Sequence, residues 1–330
     1  PKAENTSGAA PGRHRRGGMT GDGGMIARIA AALAAGIVCA CGLTSAARAS
    51  EANVPRGGLP AALGDLGASG RESCRRAIDS LPLERMQPQN RQLVEQYRTS
   101  TTLHRRLPAE TVRCDRAFVE FVLDKPETLV DVWRVLGISR VSLDPAGPGT
   151  WRLSDGYGTT GFVRLLHRER TADGGLLVFH GHGGYAGPLS PRELSGSCLL
   201  VVRHAPAPAE VGKPACQIEI EAFLHVDGLG LEVVTRTLKP LIVHSAAANV
   251  HEISLFVSQF ARAAARNPAG VARLAERMPR TEPADRRTLV AVASGRSGTP
   301  PARLPADADE VHEELAARWL PSESLDATRR

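Results

Sequence analysis

The chain has 330 residues, 42% of them hydrophobic, which suits one domain of ordinary size with flanking segments. Its 41 Lys and Arg exceed its 35 Asp and Glu, but six of the basic and two of the acidic residues fall in the first 49 positions, leaving 35 against 33. A body so near balance has no electrostatic footprint for a phosphate backbone, so no nucleic-acid partner is expected.

The predicted elements begin with a leader, residues 1–49. From Met25 a short apolar run leads to Ala47-Arg48-Ala49, a small-x-small site, so a signal peptide cleaved after Ala49 is expected, with export to a periplasmic or extracellular space. The run is short of the roughly 20 residues a bilayer requires. Val38-Cys39-Ala40-Cys41 resembles a lipobox, and lipidation at Cys41 is the alternative, tethering the protein to a membrane. Residues 50–110 are expected as a flexible lead-in followed by short helices, broken near Pro82 and Pro88.

Residues 111–123 alternate, with Ala117, Val119, Phe121 and Leu123 on one side, and predict the first strand. Asp124-x-x-Glu127 has the form of a capping box, opening a helix with Leu129, Val132, Trp133 and Leu136 on its buried side and Gly137 at its end. Strands are predicted at 140–143, 151–154, 162–168, 176–182, 198–204 and 216–226, with 231–237 either extending the last or linking it to a helix. Asp155-Gly156, Asp173-Gly174-Gly175 and a Pro-rich loop at 205–214 punctuate them.

Residues 238–266 give the clearest periodicity in the chain. At about 100° per residue, Ile242, Ala246, Val250, Ile253, Phe256, Val257, Phe260 and Ala264 form one stripe. Pro240 fits only the first turn, and Asn267-Pro268 closes the helix. Such a stripe requires a partner surface. Residues 269–330 are expected to be a partly helical, largely flexible tail, with a weak amphipathic patch at 311–320.

This order of elements, strand, helix, some six strands and a long amphipathic helix, resembles the START-like (SRPBCC, polyketide cyclase/dehydrase and lipid-transfer) superfamily over about residues 111–266, within a domain expected to span 111–268. The resemblance implies an α+β helix-grip fold, in which a curved antiparallel sheet packs around the long C-terminal helix with an apolar cavity between them. Two differences stand out: the short helix that usually follows the first is missing around 138–140, and the helical segment before Thr111 is an addition. With that fold, Trp133, Trp151, Phe223, Asn249, Ile253 and Phe256 are the candidate cavity residues. Asn249 lies inside the apolar stripe, where an amide needs hydrogen-bond partners or a polar group of a ligand.

Export leaves four cysteines, Cys74, Cys114, Cys198 and Cys216. A hairpin of 196–204 with 216–224 sets Cys198 opposite the far end of the second strand, beyond disulfide reach of Cys216. Cys74 with Cys114 is the candidate disulfide, and four buried thiols the alternative.

Other motifs carry little chemistry. Residues 156–163 match a Gly-rich nucleotide loop, but a strand follows where a dinucleotide site needs a helix, and no kinase catalytic motifs accompany it. His180-x-His182 places two imidazoles on one strand face, with His204 and His225 able to join only if the strands register. His244 and His251 fall opposite the helix's apolar stripe and are expected in solvent. Neither a Gly-x-Ser-x-Gly elbow nor a His-Glu-x-x-His pair occurs. No catalytic residue, metal or cofactor is therefore assigned. The expectation is an exported protein that binds a hydrophobic small molecule or lipid. The alternatives are a cyclase- or hydrolase-type enzyme using His180, His182 or His225, and a non-catalytic scaffold with a filled core.

Overall fold

The computed structural model describes residues 71–186, 194–208, 214–228, 239–295 and 308–320. The leader with Ala49 and Cys41, the lead-in to residue 70, and the linking segment 231–237 lie outside the described residues.

Helices α1 (Arg71–Asp79) and α2 (Pro88–Ser100) open the described chain, with a single 3-10 turn at Leu83–Arg85 between them. Pro88 stands in the first turn of α2, where its missing N–H costs little. The next two strands, β1 (Leu103–Arg106) and β2 (Glu110–Val112), both pair with the last strand, β8 (Cys216–Val226), Leu103 opposite Leu224 and Val112 opposite Cys216. They are two halves of one edge strand interrupted at Pro108, which has no N–H to give. Leu107 keeps the pairing through the break by donating its N–H to Ile220 O at 2.8 Å.

Residues 111–123 do not form the expected first strand. Only Glu110–Val112 is extended, and α3 (Arg116–Asp124) follows. Residues 117–123 are apolar at every position but Glu120, so they satisfy a period of 3.6 as readily as a period of 2, and the helix buries Phe118 and Val119 while exposing Ala117. Helix α4 (Pro126–Val135) comes next. Its N-cap is Lys125, without a side-chain cap, so the expected capping box at Asp124 is not formed. The Asp124 carboxylate instead accepts from Arg168 (2.8 Å) and Arg170, fastening the end of α3 to a strand. Two helices thus follow the first strand, α3 standing where the sequence predicts a strand. The C-terminus of α4 is as predicted: Gly137 takes φ +73°, and Ile138 N and Gly137 N donate to Trp133 O and Arg134 O, the Schellman arrangement.

Strands β3 (Ser142–Gly147), β4 (Thr150–Ser154), β5 (Thr159–Thr171), β6 (Gly174–Tyr185) and β7 (Leu194–Pro206) precede β8. All pairings are antiparallel, and the order across the sheet is β1-β8-β7-β6-β5-β4-β3, with β2 also on β8. The protein is therefore α+β with a curved eight-stranded antiparallel sheet. At Gly161 and Gly183 the β5 and β6 backbones come so close that a Cβ would lie 2.5 Å from His182 O or 2.4 Å from Thr160 O. Side chains on both positions would force the strands apart where they bend. A bulge between Leu165 and His167 turns Leu166 to the outer face while Leu165 stays on the inner one.

Each face carries its own cluster. On the outer face α1 and α2 cover Leu166, Val178, Leu199, Val201 and Phe223 with Ile78, Val94 and Tyr97. The inner face carries the main core, closed by α3, α4 and α5 (Lys239–Arg266). The predicted stripe of α5 is buried from Ile242 to Ala264, with Ile253 half-buried, and Pro240 lies in the first turn. Its N-terminal half meets the sheet side, Ala246 and Val250 packing with Leu107, Leu200 and Ile220. Its C-terminal half meets helices, with Phe256 against Trp133 (ring centroids 5.8 Å) and Trp319 (5.2 Å), and Phe260 against Phe118 (5.8 Å).

Beyond Asn267, residues 268–295 and 308–320 are folded where the sequence predicts a largely flexible tail. Asn267 caps α6 (Pro268–Glu276) by accepting from Gly270 N, and α7 (Pro283–Ala293) and α8 (Ala308–Ala316) follow. Val271, Leu274, Met278, Leu289, Leu315 and Trp319 belong to the main core. The domain therefore runs on past residue 268. Few apolar residues are needed because each short helix adds only a few contacts to one shared surface. The expected Cys74–Cys114 bond is also absent: all four described cysteines are free and buried, with Cys74 in the outer cluster and Cys114 in the inner one. The two faces of one sheet separate them.

Candidate functional site

Between the inner face of the sheet and helices α3, α4 and α5 the core is not filled. A cavity of about 180 Å³ remains, larger than the ~150 Å³ apolar cavity that stays dry and admits benzene or xenon. Strand alternation supplies its floor: Leu200 and Val202 on β7, Ile218 and Ile220 on β8, and Val163 and Phe179 on β5 and β6 all point inward. Helix α3 contributes Val119, Val122 and Leu123, and α4 contributes Leu129 and Val130. Helix α5 closes it with Val250, Ile253, Ser254 and Val257, one face of the predicted stripe.

Of the eighteen lining residues, Ser254 alone is polar. Its carbonyl accepts from Ser258 Oγ at 2.7 Å, and Ser258 Oγ in turn accepts from Arg113 N at 3.0 Å, fixing α5 to the chain after β2. Leu200, Ile218, Ile220 and Ile253 are only half-buried although they face inward, because the cavity leaves part of each uncovered. A hydrocarbon entering this space removes apolar surface from water on both sides at roughly 25 cal/mol per Å². A charged group entering it would lose hydration without a partner. Glu127, half-buried in the first turn of α4, accepts from Trp151 Nε1 at 2.7 Å, and its pKa is raised by burial.

Of the expected cavity residues, Ile253 lines the cavity. Trp133 and Phe256 lie fully buried against one another beneath α5. Trp151 is buried beside Phe179 and is spent on Glu127. Phe223 is on the outer face, stacked on His104 at 4.5 Å. Its strand was predicted correctly, but as an odd-numbered residue of β8 it points away from Ile218 and Ile220. Asn249 is buried with partners of its own and lies outside the lining. A cavity wall is made by residues that fail to meet a neighbour, which large aromatics rarely do, so the smaller Val, Leu and Ile positions form it.

The chain matches no family model. No curated protein matches it either. Among solved structures, a conserved protein from Geobacillus kaustophilus aligns with 44% of this chain and 92% of its own, at 12% identity and a TM-score of 0.27. A likeness of that size carries no argument about fold or function.

The described histidines form no catalytic cluster around the cavity. His180 and His182 share the outer face of β6, as their spacing predicts, on the side of the sheet away from the cavity. His180 lies edge-on to Tyr97 (6.0 Å) and its pKa is lowered to about 4 by burial, by Arg164 and by His182. His225 sits opposite Ser197, which pairs in turn with His182. Both ring nitrogens of His225 are engaged, Nδ1 with Ser100 O at 2.6 Å and Nε2 near Asp227 at 3.4 Å, so neither is left to activate Ser197. Ser197 Oγ accepts from Tyr97 at 2.9 Å. His204 is buried on the inner face. Among the described residues, no group of three or more His, Cys, Asp or Glu could hold a metal ion. His244 and His251 are exposed as expected, His251 lying 3.0 Å from Glu110. Residues 155–158 form the hairpin turn between β4 and β5 and 159–163 open β5, the turn pinned by Asp155 Oδ1, which accepts from Tyr157 N (2.7 Å) and Thr159 N (2.9 Å).

Proposed function

We propose that the protein binds a hydrophobic small molecule or lipid beneath α5, as a carrier of helix-grip, START-like type. The observation that carries the reading is the cavity: about 180 Å³ of space with one serine among eighteen lining residues. A lining of that chemistry favours a neutral hydrocarbon chain or ring. The topology supports the helix-grip assignment. A divided first strand, two helices, six antiparallel strands and a long helix follow in order, and the first strand closes the sheet against the last. Export, with the leader ending at Ala49, belongs to the same reading, since an extracytoplasmic carrier shields apolar cargo from water.

Native mass spectrometry of gently purified full-length protein tests it. Mass in excess of the polypeptide, released by organic extraction and identified as lipid, is the expected result. Bare polypeptide that also fails to take up a fluorescent fatty acid would overturn the reading and favour a scaffold.

A further inference from the structure

The outer face of the sheet is only partly covered. Helices α1 and α2 shield the β6-to-β8 side and the later half of β5, while the outward side chains of β4 and of the start of β5, Thr160 to Arg164, are exposed, with no helix over them among the described residues. There the strand register builds rows: Arg152 lies opposite Phe162, and Phe162 opposite His182; Arg164 lies opposite His180. Phe162 (52% accessible) and Tyr157 (48%) are the two exposed large hydrophobic residues among those described. Each has a guanidinium above its ring, Arg152 at 5.9 Å from Phe162 and Arg140 at 5.7 Å from Tyr157. Arg140, Arg152 and Arg164 are all exposed, and none makes an ion pair with a described carboxylate. The acidic groups nearby are otherwise occupied: Asp144 pairs with Arg280 at 2.6 Å, and Asp155 caps the β4–β5 turn.

Unpaired arginines beside exposed aromatics make a surface complementary to a layer that is anionic outside and apolar within. We propose that this end of the outer face docks on a bilayer containing anionic lipid. Arg140, Arg152 and Arg164 meet the headgroup phosphates, and Phe162 and Tyr157 enter the interfacial layer. A single-stranded nucleic acid fits less well. Such a strand is held in a charged groove that tracks its backbone, and here the arginines stand on the open outer face of a sheet. The patch lies across the sheet from the cavity, so docking and cargo retention are separate properties with separate readouts.

Flotation of the full chain with phosphatidylcholine vesicles, with and without phosphatidylglycerol, tests the proposal. Binding should require phosphatidylglycerol and weaken with salt. Each arginine near an anionic surface contributes about fivefold, so R152A/R164A should lose about thirtyfold in partitioning, and R152K/R164K should retain most of it. F162S should weaken binding without altering the melting curve, since its ring is exposed. Absence of binding, equal binding to neutral vesicles, partitioning unchanged in R152A/R164A, or a preference for a single-stranded oligonucleotide over the vesicles would each overturn it.

Discussion

Filling the cavity should stabilise the protein and abolish binding together. Val250 on α5 faces the space, with Leu200 and Ile220 across from it. Val250→Phe adds four carbon atoms, about 50 Å³, and at about 24 cal/mol per Å³ of cavity removed it should contribute about 1 kcal/mol to the unliganded protein. For a folded body of this size that is a rise in Tm of about 3 °C. The assay is a thermal melt followed by circular dichroism, beside titration with a fluorescent fatty acid. Wild type should bind and melt higher with ligand, while the variant should melt higher without ligand and gain nothing from it. Destabilisation by roughly 1–3 kcal/mol is what overpacking a full core produces, and that result would refute the reasoning. So would a stabilised variant that binds as well as the parent.

Ile253→Asp places a carboxylate against the same apolar wall and should cost about 3 kcal/mol, read as a lower midpoint in urea. Ending the chain after Asn267 removes α6 to α8 and uncovers Phe256, Phe260 and Trp133; such a chain should be recovered aggregated or without near-ultraviolet dichroism. Gly137→Ala should cost about 1 kcal/mol through its left-handed backbone alone, because its added Cβ meets nothing within 4 Å. Burial alone would raise the pKa of Glu221, but His104 Nε2 at 3.5 Å, the hydrogen bond from Arg203 at 2.8 Å and the charge of Arg106 outweigh it and hold the group at about 2. Its stabilisation, on the order of 3 kcal/mol, is complete above the ordinary carboxylate range and should be lost as pH falls from about 4.5 through 2, so Glu221→Gln should flatten that limb of an acid-denaturation curve.

The later half of the fold was legible in sequence because its patterns are unambiguous. From 150 to 226 short alternating or wholly apolar runs are separated by turns bearing Gly, Asp or Pro, while α5 carries a sustained 3.6-residue period between Pro240 and Pro268. The first half was harder. Residues 117–123 are apolar on every side, so their period is undefined, and only packing under α5 settles them as a helix. The edge strand at 103–112 is split by Pro108 and rich in arginine, which hides its inward side. The candidate site was located by element but not by residue. The sequence points beneath α5, where the cavity lies, yet four of the six residues it suggests for the walls are large aromatics, and of the six only Ile253 borders the space. Burial of an aromatic is readable from one sequence. A gap between neighbours depends on backbone spacing, which is not.

The split first strand has a bearing on how the chain is made. Leu103 and Val112 find their partners only at Leu224 and Cys216, so the sheet cannot be closed until β8 has left the ribosome. Until then the growing polypeptide carries an open β-edge and an uncovered hydrophobic floor. Synthesis should therefore lean on a holding chaperone up to that point, and a nascent chain stalled before Cys216 should be protease-sensitive throughout.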